Sequence, residues 1–170
     1  MLLCFALLIN AGNGEQCTPA CIIPVCKTVG GGSMFFDVQF CEEALGSDGR
    51  SADAGMDYRA YAIIAADLLA ANATSTAAKI DGLLRNGDEA TRGALRSCQV
   101  AYGGILQRQG SCKAAIRDKR DAEAISSLER SASAANECEN GFAKTNKSPV
   151  TEEDKNTFKL AKLAVALING

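Results

Sequence analysis

The sequence predicts an all-α protein: an antiparallel up-and-down four-helix bundle with an N-terminal helical hairpin. Three observations point there. Alanine is abundant, Trp is absent, and only three prolines occur in 170 residues, a balance that favours helices over sheets. Apolar residues recur every three or four positions through four long stretches, the period of a helix with one buried face. The connections between those stretches are short, which sets successive helices antiparallel. A chain of this length can enclose one core of useful size, and no internal repeat or linker divides it.

The elements follow in chain order. Residues 1–9 read MLLCFALLI, an apolar run too short to span a bilayer. Gly12-Asn13-Gly14 follows, a small-x-small pattern of the kind signal peptidase accepts, so 1–14 is expected to be a secretory signal despite lacking Lys or Arg. An arm over 15–25 leads to a short hairpin from Cys26 to about Leu45. Gly30 to Gly32 form its turn. Ser33 is the candidate N-cap of its second helix, which carries Phe36, Phe40, Cys41 and Leu45 at helical spacing.

The first bundle helix is expected from about Ala52 to Arg85, on Met56, Ile63, Ile64, Leu68, Ile80, Leu83 and Leu84. Gly87 is its expected C-cap. The second runs from about Glu89 to Asp118 and carries Leu95, Cys98, Tyr102, Ile105 and Ile116. Gly103, Gly104 and Gly110 weaken it by about 1 kcal/mol each against Ala. The third is the most regular: Ala122, Ile125, Leu128, Ala132, Ala135, Cys138 and Phe142 make one continuous face. The fourth follows SPVTEED, with Thr151 and Asp154 resembling a capping box and Phe158, Ala161, Val165 and Ile168 as the inner face.

Composition also excludes functions. Net charge is −2 with both signs interspersed, so neither nucleic acid nor anionic membrane is an expected partner. The chain has no histidine, hence no Ser-His-Asp set, and no Gly-rich phosphate loop follows a strand. No catalytic residue, metal or cofactor is expected. Glu42-Glu43 and Glu152-Glu153 are adjacent acids that point apart on a helix, so they read as solvated rather than as paired glycosidase carboxylates.

Eight cysteines occur: Cys4, Cys17, Cys21, Cys26, Cys41, Cys98, Cys112 and Cys138. With no CxxC pair and no histidine, zinc is improbable. Cys4 would leave with the signal, and the rest imply an oxidising compartment. Cys138 lies on the apolar face while its flanking acids are expected toward water. Such a position favours a packed cross-link, whose partner periodicity alone does not name.

Several segments resemble one family. Cys26-Lys27, DVQFC at 37–41, LGSDGRSAD at 45–53, SCQVAY at 97–102, ECENGF at 137–142 and KSPVTEEDK at 147–155 are together similar to the plant invertase and pectin methylesterase inhibitor family. The resemblance covers about Cys26 to the C-terminus and is strongest toward the pollen-type branch, named invertase inhibitors on similarity. It implies the hairpin-plus-bundle fold of the family domain over 26–170. It also implies two disulfides, Cys26–Cys41 within the hairpin and Cys98–Cys138 between the second and third bundle helices. Chain-entropy arguments value these at about 3 and about 4 kcal/mol.

The resemblance further implies a secreted inhibitor without chemistry of its own. Its partner would be a cell-wall or vacuolar enzyme, either acid invertase or pectin methylesterase, in a complex with an otherwise monomeric protein of the apoplast or vacuole. Invertase inhibitors of the family carry Pro-Lys-Phe in the loop before the third bundle helix. Here Asp121, Ala122 and Glu123 take those positions, without the aromatic ring and the cation, which counts against invertase. The alternative is a secreted family member without inhibitory activity. A lipid-transfer carrier is disfavoured, because the adjacent cysteines and Cys-x-Cys of that framework are missing.

Cys17, Cys21 and Cys112 are left over. Cys17 and Cys21 bracket a turn at Pro19 and are expected to bridge, leaving Cys112 free and buried. The rival is Cys112 bonded to either of them. Sequons stand at Asn72 and Asn146, each a glycan acceptor or an unmodified polar residue.

Overall fold

Aspartates set where three of the helices begin. In this computed structural model, which describes residues 21–145 and 147–170, the described residues form six α-helices and one 3-10 turn. They are α1 (Ile22–Gly30), α2 (Val38–Gly46), α3 (Tyr58–Asn86), α4 (Glu89–Arg117), α5 (Asp121–Asn140) and α6 (Thr151–Ile168). The expected signal over 1–14, Cys17 and Asn146 lie outside the described residues.

Asp37 caps α2, accepting from Phe40 N at 2.7 Å. Asp57 caps α3, accepting from Arg59 N at 2.9 Å and Ala60 N at 3.2 Å. Asp88 caps α4 through Ala90 N. Each satisfies donors that the first turn leaves unpaired, typically for about 1 kcal/mol. These caps move two expected starts. The second hairpin helix begins at Val38, not Ser33, whose Oγ instead accepts from Phe35 N and Phe36 N in the turn. The first bundle helix begins at Tyr58, not Ala52, because Gly49–Ala52 is a separate 3-10 turn and Met56 stands exposed between them. At the other end α1 begins at Ile22, upstream of the expected Cys26, with Pro24 in the first turn where its missing N–H costs nothing.

Gly87 does follow α3, but its φ is −89°, so no left-handed cap forms there. A Cβ at this position would meet Leu83 O at 2.2 Å. The glycine serves a close approach of backbone to backbone. Left-handed backbone occurs instead at Gly55 (φ 59°), just before α3, and at Lys119 (φ 58°), which turns the chain between α4 and α5.

Helices α3 to α6 pack in a ring, each on its two neighbours, and the hairpin lies against α3 and α6. Two apolar clusters fill the bundle. The hairpin-end cluster holds Val25, Leu45, Tyr61, Leu69, Leu128 and Leu163. The distal cluster holds Ile80, Leu95, Tyr102, Ile105, Phe142 and Val150. On α5 the expected face holds from Leu128 through Phe142, but Ala122 is exposed and Ala124 is buried in its place.

The expected inner face of α6 is rotated. Leu160, Ala161, Leu163, Ala164 and Leu167 are buried, while Phe158, Val165 and Ile168 are half-buried against the hairpin-end cluster. The cause is that α6 has two apolar sides. One meets the bundle and the other meets the hairpin, where the Phe158 ring stands edge-on to Phe35 at 5.9 Å. The capping box at Thr151 also fails: α6 has no side-chain cap. Thr151 Oγ1 donates to Glu139 Oε1 at 2.8 Å, and Asp154 faces inward.

Candidate functional site

The four bundle helices present long outward faces, and α4 and α5 are the pair the chain ties together at both ends. At one end Asp118, Lys119 and Arg120 make the connection. Asp121 is the first residue of α5, where a carboxylate suits the positive end of the helix dipole. Arg59 of α3 clasps it, donating from Nη1 at 2.7 Å and Nη2 at 3.2 Å, while Nη1 also donates to Ile116 O at 2.8 Å. That hydrogen bond holds the Asp121 carboxyl below its usual range. Ala122 and Glu123 are exposed, and Glu123 pairs with Arg120. The three residues predicted to occupy a projecting loop are therefore the first turn of a helix, and the corner is closed by its own ion pairs.

At the other end Cys98 of α4 bonds to Cys138 of α5, with Cα atoms 4.5 Å apart. Cys26 and Cys41 join the hairpin helices at 5.6 Å. Both separations lie in the usual disulfide range. Cys112 is a free, buried thiol on α4, its pKa pushed up by burial. Cys21 is disulfide-bonded.

Beside the second disulfide lies a buried polar layer. Tyr102 Oη donates to Asp154 Oδ1 at 2.6 Å and contacts Thr157 Oγ1 at 3.1 Å. Asn72 Nδ2 donates to Thr157 Oγ1 at 2.7 Å and to Glu153 O at 3.2 Å. Burial pushes the Asp154 carboxyl up to about 7, and the neighbouring Glu139 carboxyl pushes the same way. Asp154 Oδ2 and Glu139 Oε2 are both buried without a hydrogen-bond partner. The acids flanking Cys138 thus differ: Glu137 is exposed, but Glu139 is half-buried against α6. This layer fastens α3, α4, α5 and α6 to one another.

Among the described residues no group of three or more His, Cys, Asp or Glu could hold a metal ion, and no helix is long and apolar enough to cross a membrane. The family model for plant invertase/pectin methylesterase inhibitors matches residues 25–167. The chain belongs to that family.

Its fold agrees. A crystal structure of a mutant form of a pectin methylesterase inhibitor from Arabidopsis superposes with a TM-score of 0.72 at 18% identity, covering 85% of this chain and 93% of that one. A second, of a pectin methylesterase inhibitor from Arabidopsis thaliana, gives 0.65 at 18% identity over 87% and 93%. No sequence among the curated proteins matches. The two disulfides that the resemblance implied are the two found in the hairpin and between α4 and α5. Sequence reasoning missed the polar layer. The sequence pattern marks Asp154 as part of a cap and Asn72 as a sequon, whereas the Asn72 amide donates both its hydrogen bonds to α6.

Proposed function

We propose that this family member is a protein inhibitor of plant pectin methylesterase, acting by docking an exposed face of its bundle over the enzyme's cleft. The observation that carries the target is the closed α4–α5 corner. Asp121 is committed to Arg59, and neither Asp121, Ala122 nor Glu123 offers a cation or a ring to a sugar-binding pocket. That supports recognition through helix faces rather than through an inserted loop. The faces are long enough. At 1.5 Å per residue, the 29 residues of α4 extend roughly 43 Å. A strip of such a face can bury the ~800 Å² per partner of a standard interface.

Inhibition of this kind requires rigidity more than chemistry. A face held by two disulfides and a filled core loses little entropy on docking, and it excludes a polymeric substrate simply by occupying its path. Cystines across the fold support a secreted protein working in the oxidising apoplast.

The test is titration of purified pectin methylesterase and of acid invertase with the protein, with complex formation followed by gel filtration. Pectin methylesterase activity should fall in proportion to inhibitor added, to a one-to-one endpoint, with invertase unaffected. Stoichiometric loss of invertase activity alone would reassign the target. No complex with any isoform of either enzyme would leave a family member without inhibitory activity.

A further inference from the structure

Between the corner and the Cys98–Cys138 bridge, α4 and α5 enclose a groove of about 550 Å³ whose lining includes Ala101, Gly104 and Ala134. Arg108 of α4 and Arg130 of α5 both line it. Among the described residues neither guanidinium enters an ion pair. Arg108 Nε is buried without a hydrogen-bond partner. Burial lowers the Arg108 pKa, and the charge of Arg130 lowers it further, against smaller opposing pulls from Cys112 and Glu137. Two like charges, one of them partly desolvated, repel more strongly than they would in water. The bundle holds them together with that repulsion only partly offset.

Gly104 explains how Arg108 is held. A Cβ there would come within 3.2 Å of Arg108 Nη1, so the glycine leaves room for the guanidinium to lie back along its own helix. Val100, 77% exposed, lines the same groove. Two cations outside any ion pair beside an apolar side chain are a seat for a carboxylate attached to something that can also cover Val100.

We infer that this groove docks an acidic side chain of the partner enzyme, its carboxylate seated between Arg108 and Arg130 and a neighbouring apolar residue packed on Val100. The inference rests on the inhibitor reading above. A protein side chain suits the groove better than an acidic polysaccharide does. Glu129 and Glu137 line it too, and these would repel a repeating polyanion while leaving room for a single carboxylate. Bidentate geometry at Arg and release of the like-charge repulsion both favour the bound state.

The experiment measures affinity for pectin methylesterase, at low and at high salt, for wild type, Arg108→Gln, Arg130→Gln and the double variant. Retention on immobilised polygalacturonate is measured in parallel. The double variant should bind the enzyme at least ~10-fold more weakly, with a shallower salt dependence. Gly104→Ala separates the docking role from stability. It removes a helical glycine, so the melting temperature should rise, yet it presses on Arg108, so affinity should fall. Unchanged affinity in both the double variant and Gly104→Ala, with the wild-type complex intact, would overturn the inference. So would loss of polygalacturonate retention without loss of enzyme affinity, which would assign the groove to the polymer. Absence of any wild-type complex would overturn the inhibitor reading itself and this role with it; the wild-type control tells that failure from failure of the groove alone.

Discussion

The corner and the groove are both made by α4 and α5, and their charges are managed in opposite ways. At the corner the carboxylates and Arg120 are paired, Asp121 with Arg59 and Arg120 with Asp118 and Glu123, and only Lys119 stands exposed outside those pairs. In the groove Arg108 and Arg130 enter no ion pair among the described residues. Exposed ion pairs contribute little to stability, so the corner's pairs matter mainly by occupying groups that could otherwise bind. The difference teaches that a surface is marked for a partner less by how much charge it carries than by how much of that charge the fold leaves uncompensated.

The largest expected effect breaks the frame that both regions share. Replacing Cys98 and Cys138 together by Ala should cost about 4 kcal/mol by loop-closure entropy, against about 3 for Cys26 and Cys41. Denaturant midpoints measure both. The first pair should also weaken enzyme binding, because it sets the spacing of the groove walls, whereas the hairpin pair should leave binding intact.

The next effect is set by pH. The Asp154 carboxyl titrates near 7 in the fold and near 3.9 unfolded. Its protonated form is the one the fold favours. The contribution is therefore fully present below about pH 4 and is lost as pH rises through about 7. The loss should be on the order of 4 kcal/mol. In stronger acid Asp67 acts in the other sense: burial raises it, but hydrogen bonds from Lys113 and Arg50 hold it below its ordinary value, so the stability it lends is present above that ordinary value and is lost as pH falls through the lowered one. Thermal melts should show an optimum in mild acid. Asp154→Asn should remove most of the decline toward neutral pH, and an unchanged slope in that variant would refute the assignment.

A smaller effect separates the two regions directly. Arg59→Ala frees Asp121 and should lower the melting temperature less than either change above, with enzyme affinity unaltered. Equal weakening by Arg59→Ala and by Arg130→Gln would erase the distinction between corner and groove. The smallest concerns Asn72, whose Nδ2 is engaged with Thr157 and Glu153. Intact-mass measurement of the secreted protein followed by peptide mapping should find Asn72 without a glycan.

Much of the fold was legible because α5 keeps one phase from Leu128 to Cys138 and Phe142. Periodicity reports a single buried face well. It misplaced the inner face of α6 because Phe158 and Val165 pack against the hairpin-end cluster from a second apolar side. It set α2 and α3 too early because Met34 and Met56 continue the apolar run on the wrong side of the Asp37 and Asp57 caps. The groove left no linear trace. Arg108 and Arg130 belong to different helices, and Gly104 read as a cost to α4 until its place beside Arg108 Nη1 was visible. Asp154 was legible only as a cap, since nothing local in the sequence says that Tyr102 stands opposite it.

The most direct test of the account is hydrogen exchange on the protein alone and bound to pectin methylesterase. Bound protein should gain protection on the α4 and α5 segments around Val100, Arg108 and Arg130, with residues 118–123 unchanged. Protection confined to 118–123, with the groove segments exchanging as they do in the free protein, would contradict it.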